Sequence, residues 1–178
     1  MYKRQVKRDY IFAARDRCDE TYERMRCVRN KRFKYIRNYF PNLAYTQCNL
    51  YKERQYAVWT LMKILYAEGK LNKEQAQFMA SRKPIEELYD LVEDRHEINN
   101  LAEDEKYATV LQKLRDALDK WIKETQDKGE VPEDANIAAE CYREIHKPWH
   151  ERVMKKRGLA NDIGPVEYME YWKKRLGI

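Results

Sequence analysis

The sequence is poor in the residues that most hydrolases and metalloproteins depend on. There is one serine, Ser81, so no serine-centred nucleophile elbow exists. The three histidines are His96, His146 and His150, and none belongs to an HExxH pattern. Pro148 stands between the two that are four apart, and no third ligand lies nearby, so no metal site is expected. The four cysteines, Cys18, Cys27, Cys48 and Cys141, include no CxxC pair. That spacing supports neither a zinc knuckle nor a thioredoxin-like site, and buried free thiols are the expected state. Neither Cys18 nor Cys141 has a partner constellation for nucleophilic catalysis. Glycine and proline occur five times each, with no glycine-rich phosphate loop, internal repeat or low-complexity stretch. No stretch approaches the roughly eighteen apolar residues of a membrane span. Residues 1–8 lack the apolar run of a signal peptide.

What remains is a well-charged globular composition. Over 178 residues, 43% are hydrophobic and 37% charged, too apolar for a disordered tail and too polar for a membrane protein. The net charge is +6, and its distribution says more than the sum. Residues 1–60 hold 15 Lys or Arg against 6 Asp or Glu, whereas residues 85–130 hold 7 against 14. Such asymmetry suits two elements that face each other, or a basic element that faces an acidic ligand.

Short aromatic and β-branched runs at Asp9–Ala14, Arg24–Val28, Phe33–Tyr39 and Glu86–Leu91 read as strands, the middle two as a hairpin. Tyr51 to Tyr66 carries an apolar stripe and reads as one helix closed by Gly69. Asn72 and Gln75 have capping-box spacing ahead of a helix from Lys73. The firmest element is Asp104–Thr125, where Tyr107, Leu111, Leu114, Leu118, Trp121 and Ile122 share one face, with Gly129 as its stop. A helix from Pro132 to about Ile145 follows, Pro148 breaks it, and an amphipathic helix from Val166 to Arg175 closes the chain. The predicted fold class is α+β, a small antiparallel sheet packed against the long amphipathic helix, with a helical C-terminal tail.

Two segments offer candidate chemistry. Arg24, Arg26, Arg29, Lys31, Arg32, Lys34 and Arg37 form a basic stripe interleaved with Phe33, Tyr35 and Tyr39. Arginines and aromatics on a sheet hold phosphates and stack bases. The plainer reading, a solvated hairpin whose aromatics pack inward, is favoured. The loop from Arg15 to Glu20 follows directly on a strand, where binding groups tend to sit. Arg17 suits a sulfate or carboxylate through its forked donors, and Asp19 and Glu20 suit sugar hydroxyls. Mutual salt bridging within the loop is the plainer reading here too.

Glu86-Glu87-Leu88-Tyr89-Asp90-Leu91, then Asp94-Arg95-His96-Glu97-Ile98-Asn99-Asn100-Leu101-Ala102, resembles the C-terminal region of type I, formylglycine-dependent sulfatases. That family usually reads ELYDL, a gap, DPHE and NLA, so Arg95 stands where proline is usual. Met25 to Asn38 resembles the family hairpin upstream, and the helix with Leu114 and Trp121 is similar to its terminal helix. The heparan N-sulfatase-like and related bacterial enzymes are the most similar branch. The resemblance implies residues 1–8 as a non-native or unpaired start, 9–128 as the sulfatase C-terminal subdomain and 129–178 as a helical extension. It implies structural roles for the motif residues Glu87, Leu88, Tyr89, Asp90, His96, Glu97, Asn100 and Leu101. The family nucleophile lies in CxPxR or SxPxR, and no cysteine here is followed that way. No cofactor is therefore expected in this fragment. Calcium and formylglycine would belong to a missing N-terminal catalytic domain of alkaline-phosphatase-like fold. The implied partners are that domain and a sulfated saccharide, with no nucleic acid and no membrane, in a periplasmic or secreted setting. Arg17, Asp19 and Glu20 resemble part of an RxRMDE-like stretch of related bacterial enzymes, with Cys18 where methionine is common. This carries the tentative substrate-binding role. The rival readings are a purely structural cap and an independent nucleic-acid-binding module. A face built to be covered by a catalytic domain should expose Tyr10, Phe12, Tyr39, Phe40, Tyr45 and Trp59.

Overall fold

The computed structural model describes residues 7–178, so most of the expected unpaired start lies outside the described residues. Strands β1 (Ile11–Arg15), β2 (Met25–Arg29), β3 (Phe33–Asn38) and β4 (Glu86–Asp90) form one antiparallel sheet in the order β1-β2-β3-β4. Its register pairs Phe12 with Val28, Val28 with Tyr35, and Tyr35 with Leu88. Side chains alternate across a strand, so these four make one apolar file on a single face. The β2–β3 turn is set by Asn30, whose Oδ1 accepts from the N–H groups of Arg32 (2.8 Å) and Phe33 (2.7 Å). An asparagine side chain that holds the backbone two residues on stands in for a turn hydrogen bond.

The file is covered by a helix, α4 (Ala108–Glu124), whose 3.6-residue repeat puts Leu111, Leu114 and Leu118 against Val28, Tyr35 and Leu88. Phe12 stacks on Trp121, ring centroids 5.2 Å apart. The α+β class expected from sequence is the one observed. The helix runs Ala108–Glu124 after a single 3-10 turn capped by Asp104, and it ends before the expected stop at Gly129. Gln126 turns the chain with φ 50°. Gly129 is required for a different reason: a Cβ there would lie 1.7 Å from Nη2 of Arg26.

The remaining helices are α1 (Leu50–Gln55), α2 (Ala57–Ala67), α3 (Lys73–Phe78), α5 (Ala135–Cys141), α6 (Lys147–Arg157) and α7 (Pro165–Leu176), with α4 as defined above. The single helix expected over Tyr51–Tyr66 is interrupted at Tyr56, whose φ −110° and ψ 97° are extended. The break has a purpose in packing. Trp59 Nε1 donates to Glu53 at 3.0 Å, and an unbroken helix would place residues six apart roughly 120° from each other. The capping box at Asn72 and Gln75 is present, each side chain bonded to the other's backbone N–H. Pro148 does not break the chain. It occupies the first turn of α6, just after a π turn over Tyr142–His146. Proline is tolerated in a first helical turn, where its missing N–H is not needed.

The chain divides into two compact units: residues up to Cys18 with Tyr22–Leu43 and Arg82–Val131, and Asp19–Thr21 with Ala44–Ser81 and Pro132–Ile178. The boundary expected at 128 therefore falls differently. Residues 44–81 cluster with the C-terminal helices because Ile64 packs with Met154, Tyr168 and Trp172 in a core of their own. Within that core Tyr168 Oη donates to the carbonyl of Glu53 at 2.8 Å and accepts from Arg157 at 2.9 Å.

Candidate functional site

The motif residues of β4 and the segment after it act as a brace. Leu88 is fully buried in the sheet core. Asn100 Oδ1 accepts from Leu88 N at 2.9 Å, its Nδ2 donates to the Glu86 carbonyl at 2.9 Å, and Leu101 N donates to Leu88 O at 2.8 Å. One carboxamide and one peptide group thus occupy the outer margin of β4. Glu87 is buried and accepts from Asn38 Nδ2 (2.6 Å) and from Tyr89 Oη (2.6 Å). Asp90 accepts from Arg32 at 2.7 Å and from Val92 N at 3.1 Å. Glu97, at φ 57°, takes Lys34 at 2.6 Å. His96 is exposed.

The charge asymmetry of the sequence resolves inside this first unit. Of the basic stripe, Arg32 and Lys34 meet Asp90 and Glu97, Arg37 meets Asp119, and Arg24 lies over Tyr39 and 3.7 Å from Glu130. Arg26 is 1% exposed. It donates to both Asp127 and Asp16, with Asp127 Oδ1 at 2.7 Å and Asp16 Oδ1 at 2.8 Å. Only Arg29 and Lys31, both exposed, have no ion-pair partner among the described residues. The surface left over is far less positive than the run of letters suggests, which weakens the basis for a nucleic-acid site.

These pairs fix an acid sensitivity. The Arg26 hydrogen bond holds the Asp127 carboxyl down at about 2, Arg115 lowers Glu86, and Arg32 lowers Asp90. Folded values below the unfolded ones stabilise the fold above the ordinary carboxylate range, and that stability disappears as pH falls from about 4 toward about 2. The urea midpoint is expected to be level from pH 7 to about 5 and to drop steeply below about 4. A midpoint unchanged at pH 3 would show that the pairs contribute nothing. Tyr35 works in the opposite range. Burial, aided by its bond to Glu86, pushes its phenol up to about 12.

The loop singled out from sequence is divided by the fold. Arg17 lies in the first unit and is half-buried. Asp19 and Glu20 lie in the second, where both hold the start of α1. Asn49, the N-cap, donates to Asp19 Oδ2 at 3.0 Å, and Leu50 N donates to Glu20 Oε1. Asp19 adopts φ 52° to do so. The other Glu20 oxygen, Oε2, is buried without a hydrogen-bond partner and lies 4.0 Å from His146 Nδ1. On the far side of that imidazole, Nε2 is 3.5 Å from Cys141 Sγ. Sequence reading missed this trio, because residues five apart on an α-helix point roughly 140° apart. The π turn between them, with its i→i+5 bonding, brings them together.

The six aromatics expected to form an uncovered face are all half-buried. Phe12 packs on Trp121, Phe40 on Tyr22, Tyr45 and Trp59 on Phe78, and Tyr39 beneath Arg24. Tyr10 leans on Phe12. The exposed aromatic rings include Tyr51 and Tyr56, packed edge to face at 5.7 Å. Among the described residues, no group of three or more His, Cys, Asp or Glu is placed to hold a metal ion. Among the described residues, no helix is long and apolar enough to cross a membrane.

The chain is 45% identical over 131 residues to an ulvan-active sulfatase of Formosa agariphila, a stretch covering 74% of this chain and 22% of that protein. It is 54% identical over 41 residues to human N-sulphoglucosamine sulphohydrolase, 23% of this chain and 8% of that protein. A solved 2-O GAG sulfatase superposes on 74% of this chain and 19% of its own, at 23% identity and a TM-score of 0.44. No family model matches the chain. The chain belongs with the sulfatases, as a C-terminal region of that family. It spans about a fifth of the length of the ulvan-active relative.

Proposed function

We propose that this chain works as the C-terminal part of a longer sulfatase that removes sulfate from sulfated sugars or glycosaminoglycans outside the cytoplasm. The observation that carries the reading is the 45% identity over 131 residues to an ulvan-active sulfatase. In it the chain packs on a catalytic domain that supplies the formylglycine nucleophile and the calcium ion. The sequence contains no CxPxR motif and the described residues form no metal cluster, so no bond-breaking step is assigned to them. Their work is mechanical and electrostatic. The brace of Asn100, Glu87 and Asp90 holds β4, and β4 holds the hairpin. The loop from Arg15 to Glu20 then borders the saccharide cleft.

Within that loop the proposed roles differ. Arg17 offers a forked donor set to a sulfate or carboxylate of the saccharide. Asp19 and Glu20 are tied to the α1 start through one oxygen each, which leaves Asp19 Oδ1 as the better acceptor for a sugar hydroxyl. In the longer enzyme, Arg17→Ala should lower kcat/KM on a sulfated oligosaccharide by about tenfold or more, since a charged hydrogen bond contributes roughly 1.5–3 kcal/mol. A small aryl sulfate should be affected less, and Tm should stay level. Equal small losses on both substrates with a lower Tm would place Arg17 in the scaffold, which favours the cap reading. Sulfatase activity of the 178-residue chain alone, abolished by a substitution within it, would overturn the assignment of catalysis to another domain.

A further inference from the structure

We propose that Cys141, His146 and Glu20 form a nucleophilic thiol site that takes a low-molecular-weight disulfide. The three come from two stretches of the second unit and are aligned in the order thiol, imidazole, carboxylate. Cys141 Sγ is 3.5 Å from His146 Nε2, and His146 Nδ1 is 4.0 Å from Glu20 Oε2. Three features make this more than a chance meeting. Glu20 Oε2 is buried and has no hydrogen-bond partner, which is costly for a carboxylate unless a cation stands beside it. Its other oxygen is fixed by Leu50 N, so the carboxylate cannot turn away. Cys141 and His146 also meet only because the helix widens into a π turn, a local departure that recurs at functional sites.

Each group then has one task. His146 Nε2 accepts the thiol proton, and the resulting imidazolium turns its Nδ1–H toward Glu20 Oε2, supplying the cation that oxygen lacks. The sulfur of Cys141 attacks one sulfur of the disulfide and forms a new S–S bond. The original S–S bond breaks, and the departing thiolate takes the proton back from His146. The balance is one thiol and one disulfide giving one mixed disulfide and one thiol, with no external oxidant. Carboxylate-backed imidazole beside a nucleophile is a general solution for a group that is weak when protonated. Cys27 provides the contrast. It has no imidazole neighbour among its interactions, and burial pushes its thiol up. Cys18 is exposed and stands as the control for simple access, whereas Cys48 is exposed but desolvation pushes its thiol up. The inference rests on the second unit's geometry and not on the sulfatase reading.

The test is labelling of the 178-residue chain at neutral pH with excess 5,5′-dithiobis(2-nitrobenzoate), followed by peptide mapping over time. Cys141 is only half-exposed, so access alone would make it slower than Cys18 and Cys48. The expected result is the reverse order, with Cys141 modified first by at least about tenfold. His146→Asn should remove that advantage while leaving the Cys18 and Cys48 rates unchanged. Glu20→Gln keeps an acceptor for Leu50 N but loses the charge, and it should slow Cys141 severalfold without a change in far-UV circular dichroism. If Cys141 in the unaltered chain reacts no faster than Cys18, the proposal is overturned whether or not the variants fold. An unchanged Cys141 rate in a folded His146→Asn variant would overturn it too.

Discussion

Replacing Arg26 with leucine should destabilise the sheet unit by about 3–5 kcal/mol, the usual cost of breaking a buried ion pair from one side. The guanidinium is 1% exposed and sits between two carboxylates, of which Asp127 is 8% exposed by side chain. Taking the cation away leaves Asp127 with one backbone partner, Gly129 N at 2.8 Å, and only Arg24 as an opposing charge, with no hydrogen bond to it. A leucine adds apolar surface in return, yet an orphaned carboxylate at that depth outweighs it. The companion experiment separates the pair's net contribution from the penalty of breaking it. Arg26→Leu combined with Asp127→Leu should recover most of the loss, since an apolar pair of similar volume is often as stable as the ions it replaces. Urea denaturation of the two variants and the parent, followed by far-UV circular dichroism, gives the three midpoints. A single variant within about 1 kcal/mol of the parent would mean that Arg26 is solvated in a way the 1% exposure denies.

Leu114→Ala is expected to cost about 2–5 kcal/mol, the range for a large-to-small change at a site that cannot collapse. Leu114 is 1% exposed on the face of α4 that meets Val28, Tyr35 and Leu88. Those neighbours belong to a hydrogen-bonded sheet, whose strands cannot shift to refill the space. Leu114→Met conserves volume and should cost less than about 1.5 kcal/mol. Alanine and methionine variants with the same midpoint would show that this helix does not rest on the sheet.

Most of the first unit was legible in the sequence because its signals are local. The four strand segments were each placed to within two residues at either end, and the stripe from Leu111 to Leu118 specified which helix covers them. The opposition of basic and acidic segments was legible as well, as pairs such as Arg37 with Asp119 and Arg32 with Asp90. What stayed hidden depends on contacts between distant residues. Nothing local announces that Tyr56 interrupts a helix so that Trp59 can reach Glu53. Gly129 reads as a helix stop, whereas its role is to let Arg26 approach. Residues 44–81 join the C-terminal helices through Ile64, and no periodicity says which of two cores an apolar residue will enter. The loop at Arg17, Asp19 and Glu20 had its composition read correctly, but the N-cap bonds that turn its carboxylates toward α1 lie thirty residues further on.

The brace on β4 also governs how copies of this sheet can meet. Asn100 and Leu101 seal one margin, whereas among the described residues no strand pairs with the outer margin of β1. A sheet open on both sides invites endless stacking of strands, the geometry of fibres. Among the described residues, only the β1 margin is left without such a seal. Two copies that join through their β1 margins use up both openings at once, so association ends at a closed pair with two-fold symmetry and no filament follows.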